Sequence, residues 1–320
     1  MATAMALAER SLGGTGNNPP VGCVLVKDNR IVGRGWTQAG GRPHAEAMAL
    51  VAAASQAKGA TAYVTLEPCA HQSMRGPSCA SLLVEAGVTA VVAALEDPDP
   101  RTSGKGFALL RDAGIDVSVG TRAIEAARTL SGFFSRIRLV RPYVTLKLAT
   151  SLDGMIATAD GESRWITGET ARAHAHLERA RADAILVGAG TYRTDQPTLD
   201  VRVAGLQNRK PRRIILGSGD APDRWESIRS VHDIVSLDCN HLIVEGGAMT
   251  ATAFLRAGLV DRLMIYRAPV LIGAGKSCLG DIGLGQLSDA HGQWRLSDAR
   301  QLGKDRFEVY ERAKQHGAQA

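Results

Sequence analysis

His44 and Glu46 lie two residues apart in Pro43-His44-Ala45-Glu46, and Cys69 follows Glu67-Pro68 with nine residues between it and Cys79. One imidazole and two thiolates suit Zn²⁺, and three protein ligands leave a fourth position for water, as in catalytic rather than structural zinc sites. Zinc lowers the pKa of a bound water to about 7 and so makes hydroxide available at neutral pH. Glu46 is then no ligand. It is placed to take the water proton and hand it to a departing nitrogen, as general base and then general acid. His71, two residues beyond Cys69, is the alternative fourth ligand of a closed site. Of the other cysteines, Cys23 in VGCVLV and Cys239 before HLIVE read as small core side chains, and Cys278 carries no signal. Five scattered cysteines make no disulfide framework.

In the second half the best local signal is HLIVEGGAMT, a buried strand, two glycines and a helix whose free N–H groups can receive phosphate. Gly246 and Gly247 allow close backbone approach, although a tight left-handed turn with no ligand explains the pair as well. Gly188-Ala189-Gly190-Thr191 follows the strand DAILV, but Arg193 stands where a Rossmann fingerprint has its third glycine. No acidic residue ends a second strand at the expected distance either, so a dinucleotide site of another shape is implied.

These groups need elements to position them. VGCVLVKDNRIVGRGW reads as a hairpin turning at Asp28-Asn29, followed by a helix over 45–57, the strand AYVTLE, a helix over 79–87, the strand VTAVVAAL, a helix over 106–113 and the strand IDVSVG. A helix over 122–134 forms a bridge, and Arg141-Pro142 marks a break, because the residue before a proline is pushed out of the helical region. The pattern then restarts with YVTLKLATS, a helix over 168–180, the strands DAILVG, RRIILG and HLIVEGG, a helix over 249–258 and the strand RLMIYRAPVLI. This is α/β grammar in two domains, 1–141 and 142–320. No low-complexity linker separates them, so close packing is expected.

Hydrophobic residues are 45% and charged residues 22% of the chain, close to globular averages. No apolar run approaches the roughly 18 residues of a membrane span, and the start MATAMALAER lacks a signal-peptide pattern, so a cytoplasmic protein without membrane contact is expected. The net charge of +6 is spread evenly: 14 Lys and Arg against 11 Asp and Glu up to residue 140, and 24 against 21 after it. With aromatics at only 4%, stacking platforms are scarce. Nucleic acid is therefore excluded as a partner and small anionic substrates are favoured.

HAEAMAL, AYVTLEPCAH and NNPPVGCVLV together resemble the amino-terminal half of the bifunctional riboflavin-biosynthesis deaminase/reductase family. The HxE…PCxxC signature of zinc nucleobase deaminases contains the same parts, with two rather than nine residues between the cysteines. The long loop AHQSMRGPS is a family trait, one residue longer here than its usual form. TLKLATSLDGMIA, GESRWIT, GAGTYRTDQPTLDVR and VEGGAMTATAFL resemble the reductase half. The resemblance implies a cytidine-deaminase-like three-layer domain followed by a dihydrofolate-reductase-like domain, one Zn²⁺ per chain in the first, NADPH in the second, and a homo-oligomer, dimer or tetramer.

The family's first substrate is a 2,5-diamino-6-ribosylamino-pyrimidinone 5′-phosphate, for which Asn18, His71 and the residues between the two cysteines are candidate contacts. Asn18 reads equally as a turn residue beside Pro19. In the second reaction a ribosyl chain is reduced to ribitol, hydride passing from NADPH to C1′. The resemblance places Ala149, Trp165, Thr167, Thr191, Asp195, Ser218, Gly247, Ala248, Met249, Thr250, Ala251, Thr252 and Ala253 at the NADPH cleft, and Ser163, Arg179, Leu199, Arg202 and Glu245 at the substrate. An arginine fork can bind two phosphate oxygens at once. Arg179 in LERARAD reads equally as a solvated helix charge, Trp165 as a core aromatic and Ser218 as a loop cap. Lys147 and Asp195 are the candidates for polarising and protonating the reacting nitrogen, and Asp153 in SLDG reads as a turn former. The competing reading, an RNA or DNA deaminase with an appended binding module, lacks clustered basic charge and aromatics. A structural-zinc interaction protein leaves Glu46 and the reductase segments unexplained.

Overall fold

The computed structural model describes residues 1–71, 76–218 and 221–313. The chain divides into two compact units, Met1–Arg141 and Pro142–Ala320.

In the first unit α1 (Ala2–Glu9) precedes the hairpin of β1 (Gly22–Lys27) and β2 (Arg30–Trp36). Asp28 and Asn29 at its tip both have positive φ, 48° and 58°, the mirror-image turn that matches the twist of paired strands and that Asp and Asn tolerate. The chain continues through α2 (Ala45–Ala53), β3 (Thr61–Val64), α3 (Cys79–Glu85), β4 (Ala90–Ala93), α4 (Lys105–Asp112) and β5 (Asp116–Val119). The sheet order is β2-β1-β3-β4-β5, with β1 antiparallel to both neighbours and β3, β4 and β5 parallel. Side chains of β1 alternate between faces. Cys23 and Leu25 join Ala49, Leu83 and Leu110 in the main core, while Val24 meets Ala4 and Leu7 of α1 on the other side, which makes three layers. The bridge is two helices rather than one, α5 (Ala123–Thr129) and α6 (Ser131–Leu139), because Leu130 leaves helical geometry and enters the core fully buried.

The second unit runs β6 (Tyr143–Thr150), β7 (Met155–Ala157), α7 (Glu169–Ala180), β8 (Ala184–Gly188), α8 (Ala189–Asp195), β9 (Arg212–Leu216), β10 (Glu226–Ile228), β11 (His241–Val244), α9 (Ala248–Arg256), β12 (Arg262–Arg267), β13 (Lys276–Ser277), β14 (Trp294–Leu302) and β15 (Asp305–Arg312). Eight strands form one sheet in the order β10-β9-β8-β11-β6-β12-β15-β14. The first six are parallel and the last two antiparallel, and β7 pairs separately with β13. The central strands β8 and β11 are near-continuous apolar runs, as doubly covered strands must be. The strand expected over RLMIYRAPVLI stops at Arg267, since Pro269 cannot donate to the ladder, and Leu271 is left 75% exposed. Among the described residues no helix is long and apolar enough to cross a membrane.

One contact in the first unit governs the placement of the zinc-ligand helix. A Cβ on Gly35 would come within 2.1 Å of the Ala45 carbonyl, and one on Gly33 within 2.2 Å of that of Ala49. Glycine in β2 therefore lets α2 rest directly on the strand. Gly35→Ala is expected to lower the unfolding free energy of the first unit by about 1–3 kcal/mol through overpacking, read as a lower urea midpoint. Gly190→Ala in α8 of the second unit, where a Cβ meets nothing within 4 Å, is expected not to lower the unfolding free energy of that unit.

Candidate active sites

His44 caps the start of α2, Cys69 lies in the loop after β3, and Cys79 opens α3. Their donor atoms lie within 4.8 Å of one another. His44 Nδ1 is 3.3 Å from Cys79 Sγ and 3.6 Å from Cys69 Sγ. Tetrahedral zinc with bonds of about 2.3 Å to sulfur and about 2.0–2.1 Å to nitrogen holds the two donor types roughly 3.5 Å apart, so the three residues fit that ion as they stand. The first two N–H groups of α3 both address Cys69: that of Cys79 donates to its sulfur at 3.3 Å and that of Ala80 to its carbonyl at 3.1 Å. Hydrogen bonding from Cys79, and then from His44, holds the Cys69 thiol below its ordinary range, whereas the Cys79 thiol is pushed up. Metal binding would displace the proton that remains. Burial pushes His44 down, but its bond to Cys69 and the nearby negative charges outweigh that and raise it. A cavity of about 220 Å³, lined in part by Arg42, Pro43, His44 and Cys79, opens onto the ligands.

Glu46, in the first turn of α2, is only 3% exposed. Burial pushes its carboxyl up to about 7, with the charge of His44 opposing. A group poised there can take and return a proton at neutral pH. Sequence reasoning missed the neighbouring carboxyls. Glu67, equally buried, accepts backbone N–H groups from Gly106 (2.9 Å), Gly104 (3.0 Å), Asp97 (3.2 Å) and Phe107 (3.2 Å), and so fixes the loop that carries Cys69. The available signal was an acid in an apolar strand end, which cannot be buried without donors. Burial also raises Asp97, to about 7.

The closed four-ligand alternative is not formed. His71 Nδ1 faces Thr102 Oγ1 at 3.4 Å instead, and His71 is outside the metal-competent group. Asn18 sits in a turn, its Nδ2 donating to the Thr15 carbonyl at 3.4 Å and its amide lying against Gly41. Residues 72–75 of the expected substrate loop lie outside the described residues.

In the second unit Lys147 and Ala149 share one face of β6, while Val144, Leu146 and Leu148 turn into the core with Ala251 and Phe254 of α9. Arg179 on α7 grips Glu245, which follows β11, with two hydrogen bonds, Nε to Oε1 at 2.6 Å and Nη2 to Oε2 at 2.8 Å. Lys147 Nζ lies 3.8 Å from Glu245 Oε2 and 5.7 Å from the centre of the Tyr266 ring. Burial pushes Glu245 up, but the charge and hydrogen bonds of Arg179 and the charge of Lys147 outweigh it and bring the carboxyl down to about 2. Burial lowers Lys147, with Glu245 opposing and Arg179 adding. Arg179 is thus no solvated helix charge, and its fork is occupied by a carboxylate rather than open to a phosphate. Asp195 stands elsewhere, its carbonyl accepting from Arg164 Nη2 at 2.9 Å, so Lys147 and Asp195 have different ion partners.

The turn between β11 and α9 also differs from one alternative. Neither Gly246 nor Gly247 has positive φ. Close packing explains them instead: a Cβ on Gly246 would come within 2.5 Å of Thr250 Cβ, and the Gly247 N–H donates to Thr191 Oγ1 at 2.9 Å. No side chain caps α9, so its first N–H groups suit a cofactor phosphate. Of the residues expected to line this cleft, Thr250 is buried beside Gly188 and Gly246, Ala251 is buried in the core, and Met249 is exposed. Thr252 Oγ1 donates to the Ala248 carbonyl, and Ala253 is half-buried. Trp165 is 70% exposed and not a core aromatic. Leu199 is buried with Ile185 and Val187, so only its backbone can meet a ligand. Arg202 is exposed with Nη2 donating to Thr198 Oγ1, Ser163 is half-buried, Thr167 is buried, and Ser218 is exposed just beyond β9. Asp153 accepts from Ser151 and from the N–H groups of Ile272 and Gly273, a turn former as expected.

Three metal-ready donors beside a carboxyl that titrates near neutrality are the equipment of hydrolytic deamination, while the parallel sheet with its uncapped helix start suits a nicotinamide dinucleotide. The class defined is a zinc-dependent deaminase joined to a reductase. The family model for the cytidine and deoxycytidylate deaminase zinc-binding region matches residues 1–95, and that for the RibD C-terminal domain matches 142–226 and 227–306. The riboflavin biosynthesis protein RibD of Escherichia coli (strain K12) is 41% identical, over 95% of this chain and 96% of that protein, and RibD of Aquifex aeolicus (strain VF5) is 38% identical over 95% of each. Among solved structures, Acinetobacter baumannii RibD superposes with a TM-score of 0.88 at 36% identity, covering 98% of both chains. A Thermotoga maritima deaminase/reductase gives 0.87 at 31% identity, covering 98% of this chain and 97% of that one. The chain belongs to the RibD family of bifunctional riboflavin-biosynthesis enzymes, and is both a hydrolase and an oxidoreductase.

Two expectations follow from this geometry. Cys69→Ser and Cys79→Ser should lose zinc, whereas Cys23→Ser, Cys239→Ser and Cys278→Ser keep it; full zinc content of Cys69→Ser by metal analysis would contradict the site. Glu245→Gln leaves two cations without their counter-charge and should cost about 3–5 kcal/mol at pH 7. Because the folded carboxyl titrates near 2 against an ordinary 4.5, its contribution is complete above pH 4.5 and is lost as the pH falls towards 2. Unfolding free energies measured across that window should therefore drop more steeply in the wild type than in Glu245→Gln.

Proposed function

We propose that residues 1–141 deaminate 2,5-diamino-6-(5-phosphoribosylamino)pyrimidin-4(3H)-one by hydrolysis and that residues 142–320 reduce the ribosyl side chain of the product to ribitol with NADPH. The observation that carries the first step is the burial of Glu46, with its carboxyl near 7, beside His44, Cys69 and Cys79. Zinc, one ion per chain, would be held by those three residues and supplies Lewis-acid activation of water. Glu46 takes a proton from the water whose oxygen adds to the amine-bearing carbon, then gives it to the nitrogen that leaves as ammonia. One water is consumed and the carboxyl ends as it began. Asn18 and His71 hold the pyrimidine in this reading.

NADPH supplies a hydride when bound. Its cleft comprises Ala149, Trp165, Thr167, Thr191, Asp195, Ser218 and Gly247 to Ala253 at the start of α9. With the sugar ring open as an imine, C1′ takes the hydride and the imine nitrogen takes one proton. Lys147 Nζ holds that proton, and Glu245 keeps the ammonium in place at 3.8 Å. Ser163, Arg202 and the backbone of Leu199 face the substrate, with Arg202 meeting its phosphate. A cytoplasmic homo-oligomer, dimer or tetramer, that takes phosphorylated pyrimidines and no nucleic acid completes the reading.

The test is an assay of the purified chain on the diaminopyrimidine phosphate, with ammonia release and nicotinamide absorbance followed together. Glu46→Gln should keep zinc and lose ammonia release by at least about 10²-fold. NADPH should exceed NADH in kcat/KM by about tenfold, roughly 1.4 kcal/mol of transition-state binding. Deamination of a cytosine oligonucleotide in place of the pyrimidine phosphate would replace this reading with the nucleic-acid one.

A further inference from the structure

Residues 165–168, at the cofactor cleft of the proposed function, are held from behind by two side chains with no role in the chemistry so far. Asp305, fully buried at the start of β15, accepts the Gly168 N–H through Oδ2 at 2.6 Å, which ties the cap residue of α7 to the C-terminal hairpin. Arg172, one turn into α7, donates from Nη1 to the Thr167 carbonyl at 2.6 Å. The same guanidinium lies over the Trp165 indole, 4.8 Å from the ring centre, and Arg164 approaches that ring at 6.0 Å. Trp165 nevertheless stays 70% exposed. A large apolar ring left in water loses the benefit of burial, yet here its backbone is fastened on its C-terminal side and a cation stacks on it. The arrangement leaves indole surface uncovered, and the orientation of the ring is set before any ligand arrives. Preorganisation of this kind serves binding, because the ring does not have to be ordered at the moment of association.

We propose that Arg172 is a positioning residue for the nicotinamide cofactor: it fixes the Trp165 indole as a stacking platform for a flat heterocycle of the dinucleotide, while Asp305 fixes the backbone behind it. The proposal rests on the reading that the second unit binds NADPH. Nicotinamide and adenine present the same flat π face, and charge tells them apart. Arg164 is paired with Asp195 at 3.7 Å, so Arg172 is the cation that acts at the indole, and a nicotinamide on the platform is held better in its neutral reduced form than in its cationic oxidised form. An adenine has the same charge in both forms and is indifferent.

The experiment is calorimetric titration of the full chain with NADPH and with NADP⁺, for the wild type and for Arg172→Gln, Arg172→Lys, Asp305→Asn and Trp165→Leu, with steady-state kinetics alongside. Arg172→Gln and Trp165→Leu should each weaken NADPH at least fivefold, with the loss falling on KM for the cofactor rather than on kcat. Arg172→Lys should recover part of the affinity, and Asp305→Asn, which keeps an acceptor oxygen, should lose less than Arg172→Gln. In Arg172→Gln acrylamide should quench the Trp165 fluorescence, taken as the difference from Trp165→Leu, more readily without cofactor. If nicotinamide occupies the platform, the preference for NADPH over NADP⁺ narrows in Arg172→Gln; if adenine does, both forms weaken equally. Wild-type binding with Arg172→Gln and Trp165→Leu within twofold of it, or a loss confined to kcat, overturns the positioning role. A wild-type chain that binds neither nucleotide overturns the NADPH reading itself. Should Arg172→Gln fail to fold, Trp165→Leu and Arg172→Lys decide the question.

Discussion

A carboxyl group withdrawn from water must be given donors, given cations or left protonated, and three glutamates of this chain meet that requirement in three ways. Glu67 receives four backbone N–H groups and becomes scaffold. Glu245 receives two hydrogen bonds from Arg179 with Lys147 close by, and stays an anion down to about pH 2. Glu46 has burial without comparable compensation, so its proton is held until about pH 7. Residue type is constant across the three. The chemistry differs because the surroundings differ.

Those surroundings come from the way each sheet meets its helices. In the first unit the loop after β3 and the start of α3 bring two sulfurs together, and glycine in β2 lets α2 settle low enough for His44 to reach them. In the second, the parallel strands β6, β8 and β11 deliver Lys147, the start of α8 and Glu245 to one side of the sheet. They lie towards the carboxyl ends of these strands, where open α/β sheets bind ligands. The Gly247 N–H to Thr191 bond then joins the turn before α9 to α8. Each site is therefore a junction of several elements, and a fault in packing is felt as a fault in chemistry.

Much of this architecture was legible because it rests on local rules. The Asp28-Asn29 turn and the apolar runs of β1, β8 and β11 are patterns and turn preferences that a sequence displays directly. The strand β14 is not legible, because WRLSDARQL covers the sheet edge with polar, half-exposed side chains and lacks the alternation of a buried strand, whereas DRFEVYER of β15 does alternate, with Phe307 and Val309 buried. The break at Leu130 was equally invisible. Nothing at that position resembles a helix stop, and the bend exists to bury its side chain in the core.

The sequence by itself determined which groups are available for chemistry: an imidazole and two thiols that suit zinc, an acid two residues beyond the imidazole, and a glycine pair ahead of a helix. Donor softness, acidity and backbone freedom belong to residue types and survive any fold. Only the tertiary structure decided which charges meet. Arg179 and Glu245 are 66 residues apart in the chain yet form a two-armed pair, the Leu199 side chain packs with Ile185 and Val187, and His71 meets Thr102 and is outside the ligand cluster. Pairing and burial depend on distances set by the whole packed sheet, and those distances also fix how readily each group gives up its proton.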